Sequence, residues 1–306
     1  MPSRNLVMSA FRRRSIEANL FPAARPAVEP WDRFRWHGAS GDSCDTYKEK
    51  SSQALSIDVF GTLRQSAERE AVLDHLAASL GLPTGGPWEL QLEWRDPDNL
   101  LKEKQRTWVD AVARSPRSLI FFECKFCEPD GGGCGQTKPI LTGRRKGFKQ
   151  CNGSYARQGH AANGVDHRCI LTTKGMRYWD MIPEVFGLDP ERSYLPCPFA
   201  GPWFQWMRNL TTCLAVARAA SLQAAFVVVY ADAPALPMAQ RVRGAEWQRL
   251  TKLVDPRAIT FRTLSFQALV EQARRAAPTD PVWAELEVWV DRKIKSVVGM
   301  PHVSDG

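Results

Sequence analysis

The chain has 306 residues, of which 44% are hydrophobic and 24% charged, a balance that is ordinary for a globular protein with a core of its own. No stretch approaches the roughly 18 consecutive apolar residues that a membrane span requires, which excludes a transmembrane protein. The N-terminus places Arg12–Arg14 after its short apolar stretch, the reverse of the order in a secretory signal. We therefore expect a cytoplasmic protein that does not insert into a membrane.

The chain is basic, with 41 Lys and Arg against 33 Asp and Glu and a net charge of +8. A positive balance favours binding to a phosphate backbone, although by itself it is weak evidence. The sequence GRRKGFK, which begins at Gly143, is predicted to form a glycine-punctuated loop. Its basic side chains are candidate contacts to DNA phosphates, with a solvated surface loop as the alternative; they are Arg144, Arg145, Lys146 and Lys149.

The predicted elements follow an α/β order. Residues 1–48 lack a sustained period, so we interpret them as an N-terminal extension that packs over the domain or is partly disordered. Residues 49–300 form the predicted main domain, and 127–200 is its Cys-bearing part. In chain order we predict helices at 51–63 and 68–80, strands at 88–94, 107–113 and 118–126, an irregular segment at 127–173, helices at 174–185 and 203–222, strands at 225–231 and 258–264, and helices at 266–276 and 281–297. This order predicts a mixed central sheet flanked by helices.

The strongest chemical signal is Asp110 followed by Glu123, Cys124 and Lys125. A hairpin between the second and third strands would bring Asp110 beside Glu123, and alternation places Glu123 and Lys125 on one face. Two carboxylates at one spot are stable when a cation binds there, and Mg²⁺ (or Mn²⁺) prefers such oxygen ligands. The ion would lower the pKa of an attacking water, while Lys125 would orient that water or neutralise the transition state. We therefore predict that Asp110, Glu123 and Lys125 are catalytic and that the two carboxylates bind the ion.

Two alternatives compete with this interpretation. A Glu-x-Lys pair on a strand is commonly a solvent-exposed ion pair, but here it follows the apolar half-strand SLIFF, which favours a central strand. Glu93 and the nearby Pro97-Asp98 offer a rival first carboxylate. The number of residues between Asp98 and Glu123 leaves room for another strand, so Asp110 is preferred as the first carboxylate.

Asp, a spacer and Glu-x-Lys at the end of an apolar strand resemble the PD-(D/E)XK nuclease superfamily, which has the restriction-endonuclease-like fold. The resemblance spans about residues 50 to 275 and implies a metal-dependent DNA nuclease of genome defence or DNA repair, with Asp110, Glu123 and Lys125 at the catalytic positions. The chain also resembles a bacterial subgroup of this superfamily that has an SSQA-type first helix. The segments that carry this resemblance are SSQALSIDVFGTL (51–63), ECKFCEPDGGGCGQTKP (123–139), CNGSY (151–155), GMRYWDMIPEVF (175–186) and CPFAGPWFQWMRNL (197–210).

The sequence departs from the superfamily pattern at two places. Val109 stands where the motif has Pro, and the spacing of Gln150 and Tyr155 does not match the Gln-x-x-x-Tyr of RecB-type members. The superfamily often adds an acidic or amide side chain from the first helix. Glu49 and Gln53 are the candidates for that position.

Eight cysteines in a chain expected in the cytoplasm favour metal binding or buried thiols over disulfides. Thiolates on irregular loops can close around Zn²⁺ or an iron–sulfur cluster, and some relatives within the nuclease superfamily hold such clusters as structural clips. Buried free thiols are the alternative. Cys124 and Cys213 are interpreted as core thiols. The candidate metal ligands are Cys134, Cys151, Cys169 and Cys197.

Weaker signals complete the set. His160 and His167 are minor candidates for metal or DNA contacts, and Trp206 belongs to an aromatic group that is expected to be core. The expected partner is DNA, with a second copy or other defence-system proteins as further candidates. Two rival functions are a catalytically inactive nuclease-fold module that binds DNA or protein, and an enzyme unrelated to nucleic acids. The intact Asp–Glu–Lys set argues against the first and the basic charge against the second.

Overall fold

The computed structural model describes residues 9–40, 43–159 and 166–299. Its centre is a five-stranded sheet with the strand order β1-β2-β3-β6-β7, while β4 and β5 pair separately. The strands are β1 Glu89–Arg95, β2 Trp108–Arg114, β3 Ser118–Lys125, β4 Gln158–Gly159, β5 Asp166–His167, β6 Gln223–Tyr230 and β7 Thr260–Ser265.

β3 is the centre of the sheet. Its sequence SLIFFECK is buried at every position, because β2 pairs antiparallel with one edge and β6 pairs parallel with the other. β1 extends the antiparallel half and β7 extends the parallel half. Parallel strands in such sheets are covered on both faces, which explains the nearly uninterrupted apolar sequence of β6.

Helices cover both faces of the sheet. On one face Leu55, Leu73 and Leu269 belong to one core cluster, and on the other Ile182, Leu210 and Leu250 belong to a second. The predicted α/β class with a mixed sheet between helices is therefore confirmed. The helices are α1 Ala10–Ala18, α2 Ser52–Ser56, α3 Thr62–Gln65, α4 Arg69–Ser79, α5 Ile170–Thr173, α6 Tyr178–Phe186, α7 Phe204–Ala219, α8 Pro237–Arg243, α9 Ala245–Leu253, α10 Phe266–Ala276 and α11 Val282–Val298.

The first predicted helix is continuous through α2 and α3, but a π-helical turn over Ile57–Gly61 joins the two parts. In this turn Asp58 is fully buried. A Cβ atom at Gly61 would lie 3.1 Å from the Cβ and carbonyl oxygen of Ala24. The close approach of the 3₁₀ helix Pro22–Val28 to this turn therefore favours glycine there.

The N-terminal segment packs against the same core. Ile16 and Leu20 are fully buried in the cluster that contains α2–α4. The sequence left two interpretations open for residues 1–48. The described residues from Ser9 onwards fit the first of them, packing over the domain. The domain boundary at residue 48 stays a prediction. Within the described ranges, no helix is long and apolar enough to cross a membrane.

Candidate active site

A polar cleft of about 680 Å³ is lined by residues of β1, β2, β3 and α7. Both carboxylates of the predicted motif lie in it. Cationic side chains are frequent among the residues that line it, which are Arg35, His37, Arg95, Lys104, Gln105, Arg106, Thr107, Trp108, Asp110, Glu123, Gln205, Arg208 and Asn209.

The pairing of β2 with β3 places Asp110 beside Glu123. The last paired positions are Ala111 and Phe122, so the two acids are the next residues on adjacent strands. The Cys124 backbone N–H donates a 2.6 Å hydrogen bond to Asp110 Oδ2, which fixes the aspartate against β3. The convergence expected from strand alternation is therefore present in the structure.

Glu123 is held by three donors. Lys125 Nζ lies 3.0 Å from Glu123 Oε1, Asn209 Nδ2 donates to Oε2 at 2.8 Å, and Gln205 Nε2 donates to Oε1. Gln205 and Asn209 are four residues apart on α7 and therefore share a helix face. Both oxygens of the glutamate are thereby oriented, and its charge is neutralised within the protein.

Lys125 is buried, with only 7% of its surface exposed. Burial by itself lowers the pKa of the amine, but the charges of Glu123, Glu128 and Asp110 outweigh it and raise the Lys125 pKa above its usual range. The amine also donates to Gln205 Oε1 at 3.0 Å. Lys125 is therefore a fixed cation beside the two acids.

Glu93 is a third carboxylate at the same place. In the β1–β2 register it lies between the pairs Leu92–Ala111 and Trp94–Val109, opposite Asp110. Its φ of +48° is unusual for a residue with a side chain, and such backbone strain concentrates at functional sites. Glu93 therefore lies close to Asp110, which the sequence analysis preferred as the first carboxylate of the motif.

His37 completes a potential metal site. One ligand atom each from His37, Glu93 and Asp110 lies within 4.8 Å of the others. Two carboxylates and an imidazole fit a divalent ion that accepts oxygen and nitrogen ligands, such as Mn²⁺, and two carboxylates with water suffice for Mg²⁺. The sequence did not indicate His37, because nothing in its local pattern connects it with strands that follow more than 50 residues later.

Gln53 from α2 organises this trio. Its Nε2 donates to Glu93 Oε1 at 2.6 Å, and its Oε1 accepts the backbone N–H of His37 at 2.8 Å. Gln53 therefore occupies the position at which an amide from the first helix was expected. The other candidate, Glu49, lies in the turn before α2 and is exposed.

The pKa of Asp110 is raised well above its usual range. Burial is the largest cause, followed by the charges of Glu123 and Glu93, while Lys125 and the Cys124 N–H oppose the rise. Glu93 pairs with Arg35 and Glu123 pairs with Lys125, so the third acid, Asp110, is left without an ion-pair partner among the described residues. This excess of negative charge favours the uptake of either a proton or a metal ion. Binding of a divalent ion at Asp110 would displace the proton.

The basic loop lies outside this cleft lining. Residues 141–149 are exposed, and a hairpin forms through Gly147 N–H to Ile140 O at 2.8 Å and Ile140 N–H to Phe148 O at 3.0 Å. The four basic side chains of the loop form no ion pair with any residue that the structure describes. They are Arg144, Arg145, Lys146 and Lys149. Their proposed contact with phosphates stays a prediction.

The four candidate cysteine ligands, named here the cysteine quartet (Cys134, Cys151, Cys169 and Cys197), line a second cavity near α5, α6 and α7. Burial raises the pKa of Cys134 to about 11 and that of Cys197 to about 12, so these two thiols are protonated at neutral pH. His160 lies outside the described residues, and His167 is buried in β5. Trp206 is fully buried, as expected of a core residue.

The rival Pro97-Asp98 pair has a different role. Asp98 is exposed. Its neighbour Asp96 accepts the backbone N–H groups of Asp98 and Leu100, the latter at 2.6 Å, and so shapes the loop after β1. Asp98 is also absent from the lining of the polar cleft.

A family model described as restriction endonuclease associating with ARP (REase-ARP) matches residues 21–288. The chain belongs to the REase-ARP family. Comparisons with curated proteins and with solved structures found no match. Membership of REase-ARP confirms the resemblance to restriction-endonuclease-like proteins and indicates a nuclease. The matched range begins at Phe21 and so includes Arg35 and His37, which precede the predicted main domain.

Proposed function

We propose that this REase-ARP family member is a divalent-metal-dependent deoxyribonuclease that hydrolyses phosphodiester bonds in genome defence or DNA repair. The observation that carries the proposal is the convergence of Glu93, Asp110, Glu123 and Lys125 on adjacent strands, with Asp110 and Glu123 in the lining of the polar cleft. An ordinary surface ion pair has neither the burial of Lys125 nor the amide donors that orient Glu123.

In this proposal His37, Glu93 and Asp110 hold the ion, and Gln53 fixes the direction of Glu93. Glu123, which the sequence predicted as a ligand beside Asp110, is not assigned to the ion, because Lys125 and Asn209 already hold its two oxygens. A bound divalent ion would polarise the scissile phosphate and lower the pKa of a water molecule. Glu123, held by α7, would position the attacking water, and the Lys125 ammonium would stabilise the negative charge that develops on the phosphate oxygens.

The cationic residues of the cleft supply the attraction for the DNA backbone. Arg35 and Arg95 lie over the Trp108 ring, with guanidinium carbons 4.2 and 5.0 Å from its centroid. Arg106 and Arg208 line the same cleft. Arginines stacked in this way keep their guanidinium planes oriented. Arg35 also pairs with Glu93, so Arg95 is the one of the two that suits bidentate contact with phosphate.

Digestion of supercoiled plasmid by the full chain tests this function. We expect cleavage with Mg²⁺ or Mn²⁺, none with a chelator, and none by Asp110→Asn in the presence of either metal. Wild-type protein that binds DNA but leaves plasmid and single-stranded DNA intact with both metals would overturn the proposal. Such a result would favour a nuclease fold that only binds.

A further inference from the structure

The cysteine quartet forms one cluster rather than four separate buried thiols. All four side chains line one cavity, whose other walls include Tyr155, Trp179 and Phe199. All are free cysteines. Packing alone does not require four thiols at one place, because any small apolar residue fills such a wall. The arrangement is explained by a ligand that several thiolates bind together.

Backbone N–H groups point at three of the four sulfurs. In each case the donor is the residue two positions after the cysteine. Such donors stabilise a thiolate more than a neutral thiol, because a hydrogen bond to a charged acceptor is the stronger one. The surroundings of metal ligands commonly provide donors of this kind. The pairs are Gln136 to Cys134, Gly153 to Cys151 at 3.4 Å, and Phe199 to Cys197.

The turns that carry these cysteines are hydrogen-bonded to one another. The Cys151 N–H donates to Gln136 O at 2.9 Å, and the Cys197 N–H donates to Gly153 O at 2.9 Å. The Cys134 N–H reaches Ala200 O at 3.0 Å. The sulfurs are therefore held in a fixed arrangement by a segment whose own strands and helices are short.

The spacing of the four sulfurs distinguishes a single zinc ion from an iron–sulfur cluster. A tetrahedral zinc site with bonds of about 2.3 Å holds its sulfurs roughly 3.8 Å apart. Within the described residues, only His37, Glu93 and Asp110 bring three such ligand atoms within 4.8 Å of one another. No three sulfurs of the quartet are that close. A cubane cluster carries each thiolate on a different iron atom and therefore needs a wider set of sulfurs.

We propose that the cysteine quartet binds an iron–sulfur cluster with four iron and four sulfide ions, one thiolate on each iron. Binding replaces the four thiol protons with iron–sulfur bonds and does not oxidise the cysteines. The cluster would be transferred preassembled, with its ferrous and ferric ions already present, so that binding needs no oxidant and the thiol protons pass to the solvent.

The cluster would support the helix that orients the nuclease site. Phe204 and Met207 of α7 line the quartet cavity, while Gln205 and Asn209 on the same helix hold Glu123. A cluster at this place fixes α7 and, through it, Glu123. Its presence can nevertheless be tested without any measurement of DNA cleavage.

The test is metal analysis of the full chain purified without oxygen from cells supplied with iron. We expect a brown protein that absorbs near 400 nm, with about four iron and four acid-labile sulfide ions per chain. Cys151→Ser and Cys197→Ser are expected to lose the absorption and most of the iron. Cys127→Ser is the matched control, because Cys127 is half-buried in the same segment but does not line the cavity.

One zinc ion per chain with no sulfide would overturn the proposal in favour of a mononuclear site. Wild-type protein without iron, including after anaerobic reconstitution with sulfide and a mixture of ferrous and ferric iron, would overturn it as well. Both results concern the wild-type chain, so they stand even if a cysteine variant fails to fold. A nuclease-inactive protein that still contains the cluster would refute only the proposed function.

Discussion

Asp58 and Lys293 form a buried ion pair, with 2.6 Å between Asp58 Oδ2 and Lys293 Nζ, that joins the π-helical turn to α11. The Phe21 backbone N–H donates to the other carboxylate oxygen at 2.7 Å, and Trp289 Nε1 donates to Oδ2 at 2.9 Å. Lys293 also donates to Asn19 O at 2.6 Å. One carboxylate thus connects three parts of the chain that are remote in sequence.

The first prediction is that Asp58→Ala destabilises the protein by about 3–5 kcal/mol, because it leaves the Lys293 ammonium buried without its counter-ion. Urea unfolding at neutral pH measures the change. Arg13→Ala is the control, since Arg13 and Glu17 form an exposed pair on α1 and such pairs contribute under about 1 kcal/mol. Equal losses for the two variants would contradict the central role of Asp58.

The second prediction concerns catalysis. Glu123→Gln and Lys125→Met are expected to lower the plasmid cleavage rate by at least about 10²-fold, the effect of removing one preorganised charged group. Both substitutions keep the shape of the side chain but break a buried ion pair, so circular dichroism of each variant checks that the fold remains. Glu89→Gln is the control, because Glu89 is an exposed acid on β1. Cleavage by both site variants at the wild-type rate would refute the assignment.

The third prediction concerns pH. Because the folded-state pKa of Asp110 is raised, the proton on Asp110 stabilises the metal-free fold at low pH. That stability is lost as the pH rises through the raised value. Asp110→Asn should remove this pH dependence, whereas Asp98→Asn, which changes an exposed acid, should leave it. Unfolding free energies between about pH 5 and pH 8 measure the effect.

The same linkage predicts the response to metal. Mn²⁺ requires the ionised Asp110, so the stabilisation by Mn²⁺ should grow as the pH rises. Asp110→Asn should abolish most of this stabilisation. Equal stabilisation of the wild type and this variant at pH 8 would place the ion elsewhere.

The fourth prediction concerns the basic loop. Substitution of Arg144, Arg145, Lys146 and Lys149 with alanine should weaken DNA binding on all sequences alike. The slope of log affinity against log salt should fall by roughly one unit for each lost phosphate contact. Arg274→Ala/Arg275→Ala removes charge from α10 and serves as the control. An unchanged slope in the loop variant would leave the cleft arginines as the phosphate contacts.

The sheet was predictable from the sequence because its strands carry local signals. The apolar sequence SLIFF identified β3, and the two-residue period placed Glu123 and Lys125 on one face. The short turn after Arg114 predicted an antiparallel hairpin between β2 and β3. Such a hairpin places Asp110 beside Glu123. These features depend on neighbours along the chain, so pattern alone was sufficient.

The rest of the site was not predictable in this way. His37 follows a segment without a period, and Gln205 and Asn209 were polar residues in a helix with no sign of what they would contact. The helices α1, α5, α8 and α9 were not predicted, and α5 lies in the segment that was expected to be irregular. What brings His37 to Glu93 is tertiary packing of the N-terminal segment, which a local pattern does not record.

The buried ion pair of Asp58 and Lys293 determines when the fold can be completed during synthesis on the ribosome. Synthesis runs from the N-terminus, so Glu93, Asp110 and Glu123 emerge before the α7 amides that orient Glu123. Lys293 emerges later still, and until then Asp58 has no counter-ion. A nascent chain therefore contains all the acids of the centre in an unfinished fold. We expect the site of the proposed nuclease to be complete only after α11 has been translated.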